Sequence, residues 1–453
     1  MSVTRFTSLI LSTVAGFALV VASQPATARQ PGKDDLPKVP SGDISALRVP
    51  TGIPAAELKK AREVFAAYAK YYADYITNPR VYTTPQEFNP TTKGESVKTV
   101  DQLITDLNRH ILAPLPNTAV VPENADYIRE FGAALDDALK EVINTHPDQV
   151  VVQINAARLY AAACRSGASP HYPTVTALIT NANTPPSVKY YIYQAAGNLL
   201  AAYDINNLQT RRFHSVADKP LCDLLNALRD AIELPNSILP APVSPDQLQV
   251  LTFIRRQAIK ALAMARFAEI QSTNPPASAY PALTLGRVAT SDPILNPRPT
   301  TSEIAEAVIG ICNMAPPRGA ASAEPYAFAM CDALATGIVA FATPRAANPA
   351  DKTLPWKGYA IRITEALKGW APIFDPNFAP GVPPTGFPVP KPVTELAVEA
   401  ERRILGPMDG VATRIDLAGL RGYRDSTLRS DKKWTDSPYR DKPNLKLILK
   451  GKE

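Results

Sequence analysis

The placement of proline is the feature that most constrains what this chain can fold into. The sequence has 45 prolines and 21 glycines among its 453 residues, so proline is present at about twice its usual share. Inside an α-helix, proline removes a hydrogen bond and clashes with the preceding turn, at a cost of about 3 kcal/mol or more. Proline-free windows therefore mark where helices can form. A collagen triple helix is excluded because glycine does not recur at every third position.

The proline-free windows carry apolar residues at helical spacing, which predicts an all-α fold. The hydrophobic fraction of 45% is large enough to supply a core. Only residues 445–450 alternate in the manner of a β-strand. The predicted helices cover residues 55–78, 98–113, 123–146, 148–169, 174–184, 187–203, 221–234, 246–274, 301–315, 326–343, 356–371 and 393–406.

Short cores rich in alanine and leucine recur along the helical windows. When they are aligned on Ala156, Ala195, Ala258 and Met330, the successive offsets are 39, 63 and 72 residues. The first offset lies near the period of about 40–47 residues that is typical of helical-hairpin repeats. Proline-rich insertions between the windows account for the longer offsets.

One of these cores resembles a known repeat family. Residues 255–262, which begin with Arg255 and Arg256 and continue into an Ala-x-x-Ala-Leu core, resemble the second helix of a HEAT repeat. Residues 155–162 and 194–201 are similar, and the resemblance covers residues 126–370. It implies irregular HEAT-like helical hairpins stacked into an α-solenoid that binds partners on a concave face, and it implies no catalytic residues. An irregular helical bundle is the alternative fold.

The first 28 residues are typical of a secretory signal peptide. Arg5 precedes an apolar run over residues 9–22, and the segment ends in the small-x-small pattern Ala26-Thr27-Ala28. An uncleaved membrane anchor is the alternative. No Asn-x-Ser/Thr acceptor occurs with x other than proline, which favours a bacterial source. The sequence therefore predicts a periplasmic or secreted bacterial protein with no transmembrane segment after signal cleavage.

Composition divides the remainder of the chain. The predicted segments are a proline-rich linker over residues 29–54, a helical-repeat domain over 55–371, a proline-rich connector over 372–392, and a C-terminal helix with a basic tail over 393–453. The formal charge is +6, and residues 429–453 carry a net charge of +4. The helical body is therefore close to neutral. A nucleic-acid partner is not expected, because such binders carry a basic face on their folded domain.

The chain has four cysteines, Cys164, Cys222, Cys312 and Cys331. Export permits disulfides, and four cysteines allow three pairings. Cys312 and Cys331 flank a turn at residues 316–319 at similar distances, which favours that pair and leaves Cys164 with Cys222. A zinc site that adds His171 and His214 to the second pair is the weaker alternative, since its spacings exceed those of zinc fingers. We therefore predict two disulfides and no metal.

The motifs that would indicate a cofactor are missing from the sequence. It has no Gly-x-x-x-x-Gly-Lys-Ser/Thr or Gly-x-Gly-x-x-Gly loop and no Cys-x-x-Cys-His. It also has no Gly-x-Ser-x-Gly nucleophile elbow. Glu303 and Glu306 share one side of a predicted helix, where we expect them at the surface. The sequence therefore predicts no cofactor.

Tyrosines supply the candidate ligand-binding residues. Tyr68, Tyr71, Tyr72 and Tyr75 form a stripe at helical spacing, which we call the tyrosine stripe, and Tyr190 and Tyr193 lie in a second cluster. Tyrosine has an apolar body and a polar tip, which suits contact with sugars and peptides. Packing against a neighbouring helix is the alternative for both groups.

These observations predict an exported, non-enzymatic helical-repeat protein that acts as a binding or scaffold module of the cell envelope. Its partner would be a protein or a cell-wall glycan. The alternative is an envelope hydrolase or lyase that acts on polysaccharide. In that enzyme, tyrosines and glutamates should converge in a deep pocket, because glycoside hydrolysis uses two carboxylates a few ångströms apart.

Overall fold

The computed structural model of the chain describes residues 36–48, 53–82, 97–112, 125–203, 218–233, 244–273, 276–316, 320–374, 389–409 and 414–432. Over these residues the chain is α-helical apart from one short β-hairpin, which confirms the predicted all-α class. The predicted signal peptide lies outside the described residues, as do most of the proline-rich connector, residues 433–453 of the basic tail and the candidate strand at 445–450. The solenoid arrangement stays a prediction.

The chain divides into two compact units, which the sequence did not mark. Unit 1 takes the chain up to Leu199 together with residues 212–215 and 239–251, and unit 2 takes residues 200–211, 216–238 and 252–453. The boundary falls inside two helices, over residues 186–202 and 245–262. Each unit has its own buried apolar core, so each is described by itself.

The main helices of unit 1 are α1 (Leu58–Thr77), α2 (Val100–Leu112), α3 (Ala125–Thr145), α4 (Val150–Ala163), α5 (His171–Thr180) and α6 (Pro186–Ala202). Helix α1 packs against α3, α3 packs against α4 and α5, and α4 also contacts α1 and α2. Aromatic side chains fill the interface between α1 and α3, where Phe65 stacks on Phe131 and meets the edge of Tyr127.

The main elements of unit 2 are α7 (Asp218–Glu233), α8 (Pro245–Leu262, whose first residues belong to unit 1), β1 (Ile270–Thr273), β2 (Pro276–Ala279), α9 (Pro281–Ala289), α10 (Thr301–Cys312), α11 (Ala320–Ala347), α12 (Trp356–Ile373), α13 (Lys391–Ala400) and α14 (Leu417–Tyr423). Helix α10 packs against α9, α11 and α12. The hairpin β1–β2 is antiparallel, with Ile270 opposite Ala279, and packs on α7.

The longest helix, α11, is apolar along most of its length. By length and composition alone, its segment Glu324–Ala347 is the one described helix that could cross a membrane. Within the structure, 72% of its apolar window is buried, and it packs against α9, α10, α13 and α14. A core helix passes the same composition test, so this segment carries no argument for or against a membrane.

The arginine that begins the HEAT-like core is a buried structural residue. Arg255 is 1% exposed, and its Nε and Nη2 donate to the carboxylate of Glu303 at 2.7 and 2.9 Å. Its Nη1 donates to the carbonyl of Pro297 at 2.6 Å. The same carboxylate accepts from the backbone N–H of Thr300 at 2.7 Å, which completes a capping box at the start of α10. The hydroxyl of Thr300 is a fourth donor to this carboxylate, at 2.8 Å. The expected surface position of Glu303 is therefore wrong, because all four donors are buried or half-buried.

Candidate functional site

A concavity in unit 2 lies between α7 and α9, and we call it the α7–α9 concavity. It has a volume of about 340 Å³, part of which is open to solvent. Its polar and aromatic lining comes from two short stretches of sequence. These residues are Asn226, Arg229, Glu233, Tyr280, Thr284 and Arg287.

Helical spacing brings the polar groups to one side of each helix. Asn226, Arg229 and Glu233 stand at positions i, i+3 and i+7 of α7, so they share a face. On α9, Thr284 and Arg287 are three residues apart and also share a face. Helix α9 begins at a proline, where the missing N–H costs nothing, and Tyr280, which directly precedes it, also lines the concavity.

The centre of the concavity is a largely buried ion pair. Nη1 of Arg287 lies 2.8 Å from Oε2 of Glu233, and the two side chains are 3% and 12% exposed. Burial raises the pKa of Glu233 above its ordinary value, although the charge of Arg287 acts in the opposite direction. Nε of Arg287 is buried and has no hydrogen-bond partner among the described residues. The pair is therefore almost enclosed by protein, and Arg287 keeps one donor without a partner among the described residues.

The second arginine of the concavity is held in place by its neighbours. Arg229 donates from Nε and Nη2 to Asp230 at 2.9 and 2.7 Å, and from Nη1 to Oδ1 of Asn226 at 2.9 Å. The amide of Asn226 donates in turn to the carbonyl of Ser278 in β2 at 3.1 Å. This chain of hydrogen bonds fixes the hairpin on α7 and orients the wall of the concavity. The half-exposed ring of Tyr280 supplies an aromatic surface beside it.

The tyrosine stripe, which the sequence marked as a binding surface, lies in the core of unit 1. Tyr68, Tyr71, Tyr72 and Tyr75 are each at most 7% exposed. The hydroxyl of Tyr68 donates to the carbonyl of Gly42 at 3.0 Å, and that of Tyr72 lies 3.0 Å from Nδ1 of His110. The hydroxyl of Tyr75 accepts from the backbone N–H of Lys98 at 2.7 Å. These contacts match the alternative interpretation, in which the tyrosine stripe packs against other parts of the fold.

The second tyrosine cluster lies on α6 and splits between core and surface. Tyr193 is 2% exposed, and burial raises its pKa to about 12. Tyr190 is half-buried, and its ring meets the edge of Tyr191 with the centroids 4.9 Å apart. No residue of this cluster or of the stripe lines the α7–α9 concavity. The sequence marked none of the lining residues, because their polar character is ordinary and the pairs Arg287–Glu233 and Asn226–Ser278 each join residues more than 50 positions apart.

The cysteines are buried thiols in the structure. All four lie in the described part of the chain, and no disulfide joins any two of them. Burial raises the pKa of the thiols of Cys164, Cys312 and Cys331, and the charge of Asp136 adds to the effect at Cys164. Formation of a disulfide requires attack by a thiolate. Helical packing thus both hides these thiols and disfavours the ionised form, so the predicted Cys312–Cys331 and Cys164–Cys222 bridges are not formed here.

Unit 1 contains a buried polar cluster that the sequence did not predict. Asp136 of α3 accepts hydrogen bonds from the hydroxyl of Tyr160, from Nδ1 of His171 at 3.1 Å and from the hydroxyl of Thr174 at 2.7 Å. His171 is fully buried, and its Nε2 has no hydrogen-bond partner among the described residues. The arrangement is closed to solvent, which favours a structural role.

The histidine and cysteine spacing that suggested zinc has no structural counterpart in the described residues. No group of three or more His, Cys, Asp or Glu side chains there has the placement of a metal site. His214, one of the four residues of that alternative, lies outside the described residues.

Comparison of the chain with protein-family models, with curated proteins and with solved structures finds no match. The site must therefore be interpreted from its own chemistry.

Proposed function

We propose that this chain is an exported helical binding protein of the cell envelope whose α7–α9 concavity holds a hydroxyl-rich glycan segment. The observation that carries the proposal is the pairing of Arg287 with Glu233 beside the ring of Tyr280. Sugar hydroxyls both donate and accept hydrogen bonds, so they match a site that offers a guanidinium donor and a carboxylate acceptor together. The apolar face of a sugar ring matches an aromatic side chain.

The size of the concavity favours a small part of a larger ligand. The volume of about 340 Å³ includes open solvent, and the space that the protein encloses is far smaller than a sugar ring. One sugar ring of a longer chain would therefore rest against the lining residues that solvent reaches, and the remainder would lie across the surface. Such a contact suits a protein that holds a polymer.

The lining of the concavity offers less support for the alternative enzyme. Hydrolysis of a glycosidic bond commonly uses an acid and a base or nucleophile supplied by two carboxylates. Glu233 is the carboxylate among the lining residues, and Arg287 is bound to it. The nearby Asp230 is engaged by Arg229. We therefore favour binding over bond cleavage as the function of this site.

The first prediction concerns the aromatic wall. Substitution Tyr280→Ala in the purified chain should weaken the binding of soluble N-acetylglucosamine oligomers about tenfold, because the sugar loses its aromatic contact. Isothermal titration calorimetry measures the change. Tyr280→Phe should retain most of the affinity, since it keeps the ring and loses only the hydroxyl.

A matched control uses Phe253, a 51% exposed aromatic residue of unit 2 outside the concavity. Phe253→Ala should leave the affinity unchanged. Equal binding by wild type and Tyr280→Ala, or no binding of oligomers by the wild type, would contradict the proposal. Release of new reducing ends from the oligomers would instead support the hydrolase alternative.

A further inference from the structure

A second cluster of charged side chains in unit 2 is independent of the α7–α9 concavity. It contains Arg256 and Lys260 on α8, Glu306 on α10, and Arg362 on α12. We call it the Glu306 cluster. Tyr359, one turn before Arg362, donates its hydroxyl to Oε1 of Glu306 at 3.3 Å.

Glu306 holds two of the three cations directly. Its carboxylate lies 2.8 Å from Nη2 of Arg362 and 3.6 Å from Nζ of Lys260, and its side chain is only 5% exposed. Burial alone would raise the pKa of Glu306, but the hydrogen bond and charge of Arg362, with the charges of Lys260 and Arg256, lower it below its ordinary value. The carboxylate is therefore ionised at neutral pH. The expectation that Glu306 is a surface residue is wrong, for the same reason as for Glu303.

The cluster has more positive charge than its one carboxylate neutralises. Arg256, Lys260 and Arg362 bring three positive charges against the single negative charge of Glu306. Arg256 and Lys260 also stand at positions i and i+4 of α8, where like charges repel each other. The outer parts of Lys260 and Arg362 remain accessible, at 39% and 49% exposure. An anion that approached this surface would relieve the repulsion.

Arg256 is the member of the cluster with an unsatisfied hydrogen-bond donor. Its Nε is buried and has no hydrogen-bond partner among the described residues. It forms no ion pair with Glu306, although its charge acts on both Glu306 and Tyr359. A buried donor without an acceptor is costly and is uncommon in folded proteins. A guanidinium donor without an acceptor, next to surplus positive charge, favours an oxyanion as the ligand.

We propose that the Glu306 cluster binds a phosphate group. The guanidinium of Arg256 supplies donors in a planar fork that matches phosphate oxygens, and Lys260 adds a point charge one turn away. A phosphate monoester carries a charge of about −1.5 to −2 at pH 7, which matches the excess of two positive charges. Glu306 and Tyr359 keep the cations in position and do not contact the ligand.

The second prediction tests this site with two probes, inorganic phosphate and glycerol 3-phosphate, at constant ionic strength. The wild-type chain should bind at least one of them, and Arg256→Gln should weaken that binding about tenfold through loss of a charge-assisted hydrogen bond. Titration calorimetry at pH 7.5 measures the affinity. Tighter binding of glycerol 3-phosphate identifies an esterified phosphate as the natural ligand, and equal binding identifies the free ion.

The control is Arg266→Gln, which removes an exposed arginine of the same unit outside the cluster. It keeps the wild-type affinity if the site is local. Lys260→Gln provides a second variant at a more exposed position in case Arg256→Gln fails to fold, which circular dichroism detects. Absence of phosphate binding by the wild type, or an equal loss in Arg256→Gln and Arg266→Gln, overturns the proposal. Neither outcome affects the glycan proposal, because the oligomer titration uses a separate site.

Discussion

At the scale of single residues, the buried polar groups of this protein depend on partners far away in the sequence. Asp136 accepts from side chains that lie 24 to 38 positions further along the chain. Burial alone would raise its pKa, but the hydrogen bonds from His171, Tyr160 and Thr174 outweigh it, so the pKa lies below its ordinary value. The carboxylate is therefore ionised within the core of unit 1.

The third prediction concerns this carboxylate. Asp136→Asn should lower the free energy of unfolding by about 2–3 kcal/mol, because three donors lose a charged acceptor in a buried site. Urea denaturation followed by circular dichroism measures the change. Asp137→Asn is the matched control, since Asp137 is exposed on the same helix, and it should alter the stability by less than about 0.5 kcal/mol.

The same cluster sets a pH dependence with a definite sign. A depressed carboxyl pKa stabilises the folded state above the unfolded value of about 3.9, and this contribution is lost as pH falls through the folded value. The wild-type chain should therefore lose stability below about pH 4, and Asp136→Asn should lose less over the same interval. Parallel curves for the two proteins would show that Asp136 is not the group responsible.

The local sequence predicted which residues share a helix face, but not whether that face is turned to the core or to solvent. The tyrosine stripe does lie on one helix, yet it faces the core of unit 1. Glu303 and Glu306 do share one helix, yet both are buried because Arg255 and Arg362 reach them from other elements. Charge alone predicts exposure, whereas a buried ion pair requires knowledge of a partner about 50 positions away.

At the scale of elements, close helix packing in unit 2 depends on glycine at position 310. A Cβ atom placed on Gly310 would lie 2.6 Å from Cβ of Ala263 and 3.0 Å from its Cα. Such distances are shorter than van der Waals contact, and the backbone atom of Ala263 cannot move aside as a flexible side chain would. Helix α10 therefore approaches the residue that follows α8 only because this side chain is missing.

The fourth prediction follows from that contact. Gly310→Ala should destabilise the chain by about 1–3 kcal/mol through overpacking, although alanine favours the helix. Thermal unfolding measures the difference. Gly369→Ala is the control, because Gly369 lies inside α12 with no neighbouring atom within 4 Å of the new Cβ. That variant should be as stable as the wild type or more stable by up to about 1 kcal/mol; an equal loss in both variants would contradict the packing argument.

Proline predicted most helix bounds because few helices accept it in their interior. The predicted window at 301–315 corresponds to α10, and that at 356–371 corresponds to α12. Two predicted windows were wrong, and the helices α9 and α14 were not predicted at all. Helix α8 ends at Leu262 and the β-hairpin follows, whereas α11 runs through Pro325 and Pro344. Both prolines lie within two turns of a helix end, and the buried apolar stretch between them offsets the lost hydrogen bonds.

At the scale of the whole molecule, the oxidation state of the four cysteines depends on both the fold and the compartment in which the protein resides. The signal-like first 28 residues predict export, where disulfides are permitted. The structure instead buries each cysteine in a helical unit without a bridge. Compartment and packing thus lead to opposite expectations for the oxidation state.

The fifth prediction is that the four thiols are reduced, as their packing indicates. Without reductant, the native chain should react slowly with iodoacetamide, because the thiols are buried and their pKa is raised. After unfolding in urea, intact-mass analysis should show four added groups. No added groups until a reductant is supplied would establish the two disulfides that the sequence predicts.

Neither the division into two units nor the candidate site could be predicted from the sequence. Proline and glycine mark turns, but the unit boundary falls inside helices without such a mark. The α7–α9 concavity combines residues 226–233 with residues 280–287. The hairpin lies between these two stretches, and its first strand fell within the predicted helix at 246–274. Local patterns do not contain these long-range pairings.

The carboxylate shared by Arg255 and Thr300 has a consequence for local motion. Glu303 caps the first turn of α10 and at the same time neutralises the guanidinium buried on α8. Fraying of that first turn would therefore leave the charge of Arg255 buried and unpaired. The start of one helix and the middle of another must open in a single cooperative step, so their amide protons share one protection energy, well above that of an ordinary helix end.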